Sequence, residues 1–221
     1  MANILISGFG DWAGSSANPS KALADALDET SINDSTISSV IAPVTFGKMI
    51  NVVTDKIDST SPDIVIMLGE YCGRTMITVE RLAQNFIDAT RYDSSDDSGA
   101  QPQGVPIASD GPAAYYATLP LRAMVKAMRE NGIPSDISDT AGTFGCNLLM
   151  YGVLHHIAKH QLPIRAGWVH LPSLPATAAL DVNLGMASMS IETQLCGLKA
   201  AIAAAIENQE DIHEPIRSSW Q

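Results

Sequence analysis

Cys146 has the sequence surroundings of a nucleophile. Small and glycine residues make up most of Asp139–Gly145, and the apolar residues after Cys146 recur three and four apart, which predicts a helix starting near the cysteine. A helix N-terminus favours a thiolate, and a glycine turn there would bring backbone N–H groups close to a carbonyl under attack. The pattern indicates an acyl-transfer nucleophile. A buried cysteine acting as a small hydrophobic residue is the alternative.

A thiol nucleophile needs a base, usually histidine, and a group that orients that base. The five histidines of the chain are His155, His156, His160, His170 and His213. His170 is the best partner, because it ends a predicted strand and parallel strand ends share a rim with helix starts. Glu80 is a candidate for the orienting carboxylate on its position alone.

Metal and nucleotide sites are not indicated. His156 and His160 are four residues apart, but no third ligand accompanies them at a recognised spacing, so we expect solvent-facing side chains. The glycine-rich segment Gly8–Gly14 matches neither a dinucleotide fingerprint nor a phosphate loop. We therefore expect no metal and no cofactor.

Apolar runs of strand type alternate along the chain with helical patterns. The predicted strands are Asn3–Ser7, Thr36–Val44, Pro62–Gly69, Ile133–Ser138 and Pro163–Leu171. The predicted helices begin at Asn18-Pro19, which has the form of an N-cap, and continue with Phe46–Ile57, Pro120–Asn131, the helix after Cys146, and a last helix around Ile191–Ile206. This alternation predicts an α/β domain with a largely parallel, helix-covered sheet.

The sequence also predicts one long loop, the position of one cysteine and two strand ends that could build a site. Tyr92–Gly111 is polar and rich in Asp, Ser, Gly and Pro, which predicts a long loop. Cys196 lies in the last helix, where we expect it to belong to the core. The segments Gly8–Asn18 and Gly69–Arg74 follow strands, and in parallel sheets such strand ends build sites.

Composition limits the class of protein. The 221 residues fit a single domain, 1–221, and contents of 46% hydrophobic and 17% charged residues are typical of a globular protein. A net charge of -11 argues against nucleic acid and anionic membranes as partners. Three cysteines form no disulfide framework, so we expect a reducing compartment. We also expect no signal peptide and no membrane span.

Three separated segments resemble the pyroglutamyl peptidases, also called pyrrolidone-carboxylate peptidases, a family of cysteine peptidases. These segments are Glu80–Asn85, Asp139–Asn147 and Gly167–Pro172. They resemble the family's glutamate, nucleophile and histidine segments in the same order. The likeness extends over nearly the whole chain, up to about Leu174.

The resemblance implies a single-domain three-layer α/β/α sandwich and an enzyme that removes an N-terminal pyroglutamyl residue from small peptides. It implies that Cys146 is the nucleophile, His170 the general base and acid, and Glu80 the residue that orients the imidazole. Phe9, Asn18 and Phe144 match positions that line the pocket for the flat lactam ring. The family is typically cytoplasmic and often tetrameric.

The chain departs from the family at or beside that pocket. Trp12 stands where many relatives have phenylalanine, Glu70-Tyr71 where they commonly have Gln-Ala, and Gly145 where they often have valine. The Glu70 side chain either points to solvent or faces the pocket. In the second case its charge would raise the pKa of a nearby thiol.

Other functions remain possible from the residues. One is a related cysteine hydrolase that acts on another cyclic or blocked amide. Another is a non-catalytic binding member of the fold, which the presence of Glu80, Cys146 and His170 argues against. A nucleotide-binding domain is a further alternative, and the mismatch to phosphate-loop spacings argues against it.

Overall fold

A seven-stranded sheet forms the centre of the protein, and helices cover both of its faces. The structure is a computed structural model that describes residues 1–11 and 17–218. Its strands are β1 (Asn3–Phe9), β2 (Ser31–Ile32), β3 (Ser35–Ala42), β4 (Ile64–Glu70), β5 (Ile77–Glu80), β6 (Leu82–Gln84), β7 (Ala114–Tyr116), β8 (Ser135–Ser138) and β9 (Arg165–Leu171). The main sheet has the order β2-β3-β1-β4-β9-β5-β8, and β6 and β7 form a separate antiparallel pair.

The helices separate into two layers. They are α1 (Pro19–Leu27), α2 (Phe46–Thr60), α3 (Leu121–Glu130), α4 (Gly145–Lys159), α5 (Pro175–Ala178) and α6 (Ile191–Glu207). Buried side chains of α1, α3 and α6 pack on one face of the sheet, and those of α2 and α4 pack on the other. The three-layer α/β/α arrangement predicted from the sequence is confirmed.

Local sequence signals account for most of these elements. The continuous apolar run of β4 is buried along its length, as expected for a strand covered on both faces. Asn18 caps α1 by accepting the backbone N–H of Ser20 at 3.0 Å, and Pro19 is the first helical residue. The predicted strands and helices are all present, with boundaries shifted by only a few residues.

The sheet is mostly parallel, as predicted, but β5 runs antiparallel to β9. In this pair Thr78 is opposite His170, and Glu80 is opposite Trp168. Residues directly opposite each other share a face of the sheet. All four side chains therefore lie on the face covered by α2 and α4.

Cys196 departs from its sequence expectation, whereas the segment Tyr92–Gly111 follows it. Cys196 is exposed, so its predicted place in the core is wrong. The buried face of α6 is instead formed by residues such as Gln194, Leu198 and Ala201, and Cys196 lies off that face. Tyr92–Gly111 is irregular, as predicted, and the buried carboxylate of Asp96 holds it by accepting N–H groups from Phe46, Ser98 and Ala100.

In the two described ranges, the helices are too short or too polar for any of them to cross a bilayer.

Candidate active site

Cys146 is the second residue of α4, so the prediction that it lies at a helix start is confirmed. Phe144 precedes the helix in an extended conformation. Gly142 has a φ of 82°, a left-handed conformation that glycine adopts without a steric penalty. The glycine turn thus directs the chain into α4, where the first N–H groups have no intrahelical partner.

The sulfur of Cys146 lies above Gly69, at the end of β4. A Cβ atom added to Gly69 would be 3.0 Å from Sγ of Cys146 and 2.5 Å from the Trp168 ring. Gly69 is also the residue paired with His170 on the neighbouring strand β9. The absence of a side chain at Gly69 therefore lets the thiol approach the sheet beside the imidazole.

His170 is joined to Glu80 by a short hydrogen bond. Nδ1 of His170 lies 2.7 Å from Oε1 of Glu80, and both residues are buried. An ionised carboxylate can only accept a hydrogen bond, so Nδ1 carries the proton and Nε2 remains available as a base. Glu80 reaches His170 from β5, the neighbour that runs antiparallel to β9.

Arg74 is a member of this cluster that the sequence did not single out. Its Nη1 lies 2.9 Å from Oε1 of Glu80 and also contacts the Thr78 hydroxyl. Its guanidinium lies 4.0 Å from the centre of the Tyr71 ring, and that ring meets His170 edge-on at 5.3 Å. A buried carboxylate requires a cationic or hydrogen-bonding partner. If Glu80 is taken to be buried, this need for a cationic partner is the sequence signal that points to Arg74.

Burial and charge set the protonation states. Burial opposes the ionisation of Glu80, but the hydrogen bond and charge of His170, with further help from Ser138 and Arg74, lower its pKa. Burial lowers the pKa of His170 despite the opposing effect of Glu80. Burial, followed by the negative charge of Glu80, raises the pKa of Cys146 to about 12.

The raised pKa of Cys146 opposes the thiolate that a helix start alone would favour. Desolvation of the Cys146 sulfur outweighs the favourable field of the α4 N-terminus. The directions of these shifts favour an ionised glutamate, a neutral imidazole and a protonated thiol at neutral pH. Such a thiol becomes a nucleophile only when a base removes its proton.

Two cavities meet at Cys146. The smaller has a volume of about 130 Å³, and its lining includes Phe9, Asn18, Phe144 and Gly145. The structure thus brings together four of the residues predicted to bind substrate. The fifth, Glu70, also lines this cavity, and the sixth, Trp12, lies outside the described residues.

The second cavity lies on the His170 side of Cys146 and has a volume of about 350 Å³. Tyr71, Tyr92 and Phe144 are among its lining residues. Glu70, Cys72 and Cys146 line both cavities. The nucleophile candidate therefore lies where the two spaces join.

Glu70 is half-buried at the end of β4, and it contributes to the lining of both cavities. Its Oε1 lies 3.6 Å from Sγ of Cys72. Burial and then the charge of Glu70 raise the pKa of the Cys72 thiol. The carboxylate that raises the pKa of Cys146 is Glu80. Glu70 therefore acts mainly on the Cys72 thiol.

The described part of the chain contains no group of three or more His, Cys, Asp or Glu residues that could hold a metal ion. Nε2 of His156 instead lies 2.8 Å from a carboxylate oxygen of Asp58. His160 is exposed.

Comparison with known proteins identifies the family. A sequence model of the family described as pyroglutamyl peptidase matches residues 2–208. The chain is 52% identical over the full length of both proteins to a pyrrolidone-carboxylate peptidase of Mycobacterium tuberculosis. It is 42% identical to one of Bacillus mycoides, with 96% of each chain covered.

A solved structure agrees with these sequence relatives. The crystal structure of Bacillus amyloliquefaciens pyroglutamyl peptidase I superposes with a TM-score of 0.91 at 34% identity, covering 96% of this chain and all of the other. The sequence match over most of the chain and the shared fold agree on one family. This chain belongs to the pyroglutamyl peptidase family.

Proposed function

We propose that the protein is a cysteine exopeptidase that hydrolyses the amide bond after an N-terminal pyroglutamyl residue. The observation that carries this proposal is that His170, hydrogen-bonded to the buried Glu80 at 2.7 Å, lines the same cavity as Cys146. The family membership supplies the substrate class.

In the first step, Nε2 of His170 accepts the proton of the Cys146 thiol while Sγ attacks the pyroglutamyl carbonyl carbon. The carbonyl oxygen becomes an oxyanion, which N–H groups at the start of α4 stabilise. When the C–N bond breaks, the imidazolium gives its proton to the leaving amine. The products are a thioester on Cys146 and a peptide with a free amino terminus.

In the second step, water replaces the amine. His170 removes a proton from the water, whose oxygen attacks the thioester carbonyl, and the C–S bond then breaks. The proton returns to the sulfur, and free pyroglutamate leaves. Glu80 holds the imidazole by its Nδ1–H and stabilises the positive charge that His170 carries in both steps.

The smaller cavity suits the lactam ring. The rings of Phe9 and Phe144 supply apolar surface for an uncharged flat group. The side-chain oxygen of Asn18 caps α1, and its Nδ2 donates to the carbonyl of Gly10 at 3.4 Å. The second N–H of Nδ2 remains to donate to the lactam carbonyl.

The test is hydrolysis of a pyroglutamyl amide beside alanyl and prolyl amides. Wild type is expected to cleave only the pyroglutamyl compound, with or without a chelator, and Cys146→Ala is expected to lose at least about a thousandfold in rate. Equal cleavage of ordinary aminoacyl amides would contradict the proposal. Cleavage of a different blocked amide alone would favour the related-hydrolase alternative.

We further propose that residues 1–221 form one domain, and that the enzyme works in the cytoplasm as a homotetramer, as the family resemblance implies. The three free cysteines, Cys72, Cys146 and Cys196, support a reducing compartment. Light scattering on the purified protein would measure the assembly, and a monomeric mass would contradict it.

A further inference from the structure

The larger cavity, on the His170 side of Cys146, is not used by the lactam ring in the mechanism above. We call it the aromatic cavity, defined by Tyr71, Tyr92, Phe144, Cys146 and His170. Its volume of about 350 Å³ is large enough for an amino-acid side chain.

Proton transfer decides the direction of the substrate. The group that protonates the leaving amine must lie within hydrogen-bond reach of that nitrogen. His170 lines the aromatic cavity, whereas Phe9, Asn18 and Gly145 line the smaller one. With the lactam in the smaller cavity, the scissile nitrogen and the residue after pyroglutamate point toward His170 and the aromatic cavity.

The walls of this cavity are aromatic rings held by other side chains. The Tyr71 ring lies between the Arg74 guanidinium at 4.0 Å and the edge of His170 at 5.3 Å. The Tyr92 ring meets Phe144 at 5.8 Å, and its hydroxyl accepts the N–H of Thr143 at 3.4 Å.

Tyr71 and Tyr92 nevertheless remain 41% and 43% exposed. Large aromatic rings that are fixed in place yet open to solvent are suited to binding, since little conformational entropy is lost on contact. An aromatic ligand side chain would cover them and gain ring-to-ring contacts.

We propose that the aromatic cavity is the subsite for the residue after pyroglutamate, and that it selects peptides in which this residue is aromatic. The proposal rests on the proposed function, because it takes Cys146 and His170 as the reacting groups. It assigns Tyr71 and Tyr92 as specificity-determining residues.

The test compares kcat/KM for pyroglutamyl-phenylalanine amide and pyroglutamyl-alanine amide. Wild type is expected to favour the phenylalanine substrate. Tyr71→Ala and Tyr92→Ala should each lower this ratio by about threefold to tenfold, the size of one aromatic contact. Tyr71→Phe and Tyr92→Phe keep the rings and should keep the ratio, which separates ring contact from a general loss of rate.

Tyr116→Ala is the matched control, because Tyr116 is 72% exposed on β7 and does not line the cavity. An unchanged ratio in both Tyr→Ala variants would overturn the proposal, as would an equal change in Tyr116→Ala. A change of oligomeric state in Tyr92→Ala with an unchanged ratio would assign the rings to an interface between copies instead. If no pyroglutamyl substrate is cleaved at all, the proposed function itself fails.

A second measurement needs only the wild type. The pyroglutamyl thioester can be attacked by an added amine instead of water, by the reverse of the leaving step. Phenylalanine amide should capture the acyl group more efficiently than alanine amide at equal concentration, by about the same factor as the kcat/KM ratio. Equal capture would overturn the proposal even if the tyrosine variants failed to fold.

Discussion

Glu80 and Trp168 are directly opposite each other on β5 and β9, and this antiparallel register puts the Glu80 carboxylate on the same face as His170. Oε1 of Glu80 can therefore reach Nδ1 of His170 at 2.7 Å across neighbouring strands. The partners are 90 residues apart in sequence. Because strands and not loops carry both side chains, the pair is held rigidly.

Glu80→Gln should slow turnover by about a hundredfold to ten-thousandfold, the range of a general-base contribution. Since the charge of Glu80 raises the pKa of His170, its removal should move the acid limb of kcat/KM to lower pH. The wild-type limb should already lie below the ordinary histidine value of 6.5. Glu130→Gln, on the exposed end of α3, is the matched control. A double variant with His170→Ala that is much slower than the worse single variant would mean that the two residues act independently.

Arg74→Gln should move the same acid limb in the opposite direction. The positive charge of Arg74 lowers the pKa of His170, so its removal should raise that pKa and shift the limb to higher pH. The variant also removes the 2.9 Å contact that holds Glu80, and we expect at least a tenfold loss in kcat, about 1.4 kcal/mol. Arg74→Lys keeps the positive charge, so the acid limb of its kcat/KM profile should lie at the wild-type pH. A wild-type profile in Arg74→Gln would show that Arg74 does not position Glu80.

Haloacetamide should label Cys196 before Cys146, because Cys196 is exposed and Cys146 is partly covered. A Cys146 thiolate at the helix start and a Cys196 in the core, both expected from the sequence, would give the reverse order. Labelling of Cys196 should leave activity intact, and inactivation should follow Cys146. Since the pKa of Cys146 is raised to about 12, its alkylation rate should keep rising through pH 9, the ordinary thiol value. Mass spectrometry of each cysteine would measure the alkylation rates. A Cys146 rate that reaches a plateau near neutral pH would show a thiolate–imidazolium pair and contradict the neutral pair.

Gly69→Ala should disturb the site, because the added Cβ would meet the Trp168 ring and the Cys146 sulfur. Overpacking of this kind costs about 1–3 kcal/mol of unfolding free energy, and displacement of the sulfur should lower kcat by at least about tenfold. Gly47→Ala in α2 is the control, since nothing lies within 4 Å of its added Cβ. It should preserve activity and stabilise the helix by up to about 1 kcal/mol. Thermal unfolding and kcat together would check both variants, and full activity in Gly69→Ala would contradict the close packing of the thiol.

Glu70→Gln should act mainly on Cys72. The charge of Glu70 raises the pKa of the Cys72 thiol, so the variant should lower that pKa and speed alkylation of Cys72 at neutral pH. We expect kcat/KM for pyroglutamyl substrates to change by less than about tenfold, or 1.4 kcal/mol. Mass spectrometry after timed alkylation would measure the effect. An unchanged Cys72 with a large shift in the Cys146 profile would show that Glu70 acts on the nucleophile.

The sequence by itself determined the α/β class, the five long helices, the strands β1, β3, β4, β8 and β9, and a helix start near Cys146. These features follow from local causes, since apolar periodicity, caps and glycine turns act within a few residues. The family resemblance also selected Cys146, His170 and Glu80 for one site, and His170 and Glu80 are in contact.

Only the tertiary structure decided how those residues meet. The antiparallel direction of β5 and the contact of Glu80 with His170 depend on pairing between distant segments. The contact of Arg74 with Glu80 joins residues only six apart, but a sequence pattern does not show that the Glu80 carboxylate is buried and needs this partner. The exposure of Cys196 depends on which face of α6 meets the sheet. The raised pKa of Cys146 depends on desolvation by the packed chain, which opposes the local field of the helix. A sequence pattern contains no measure of that burial.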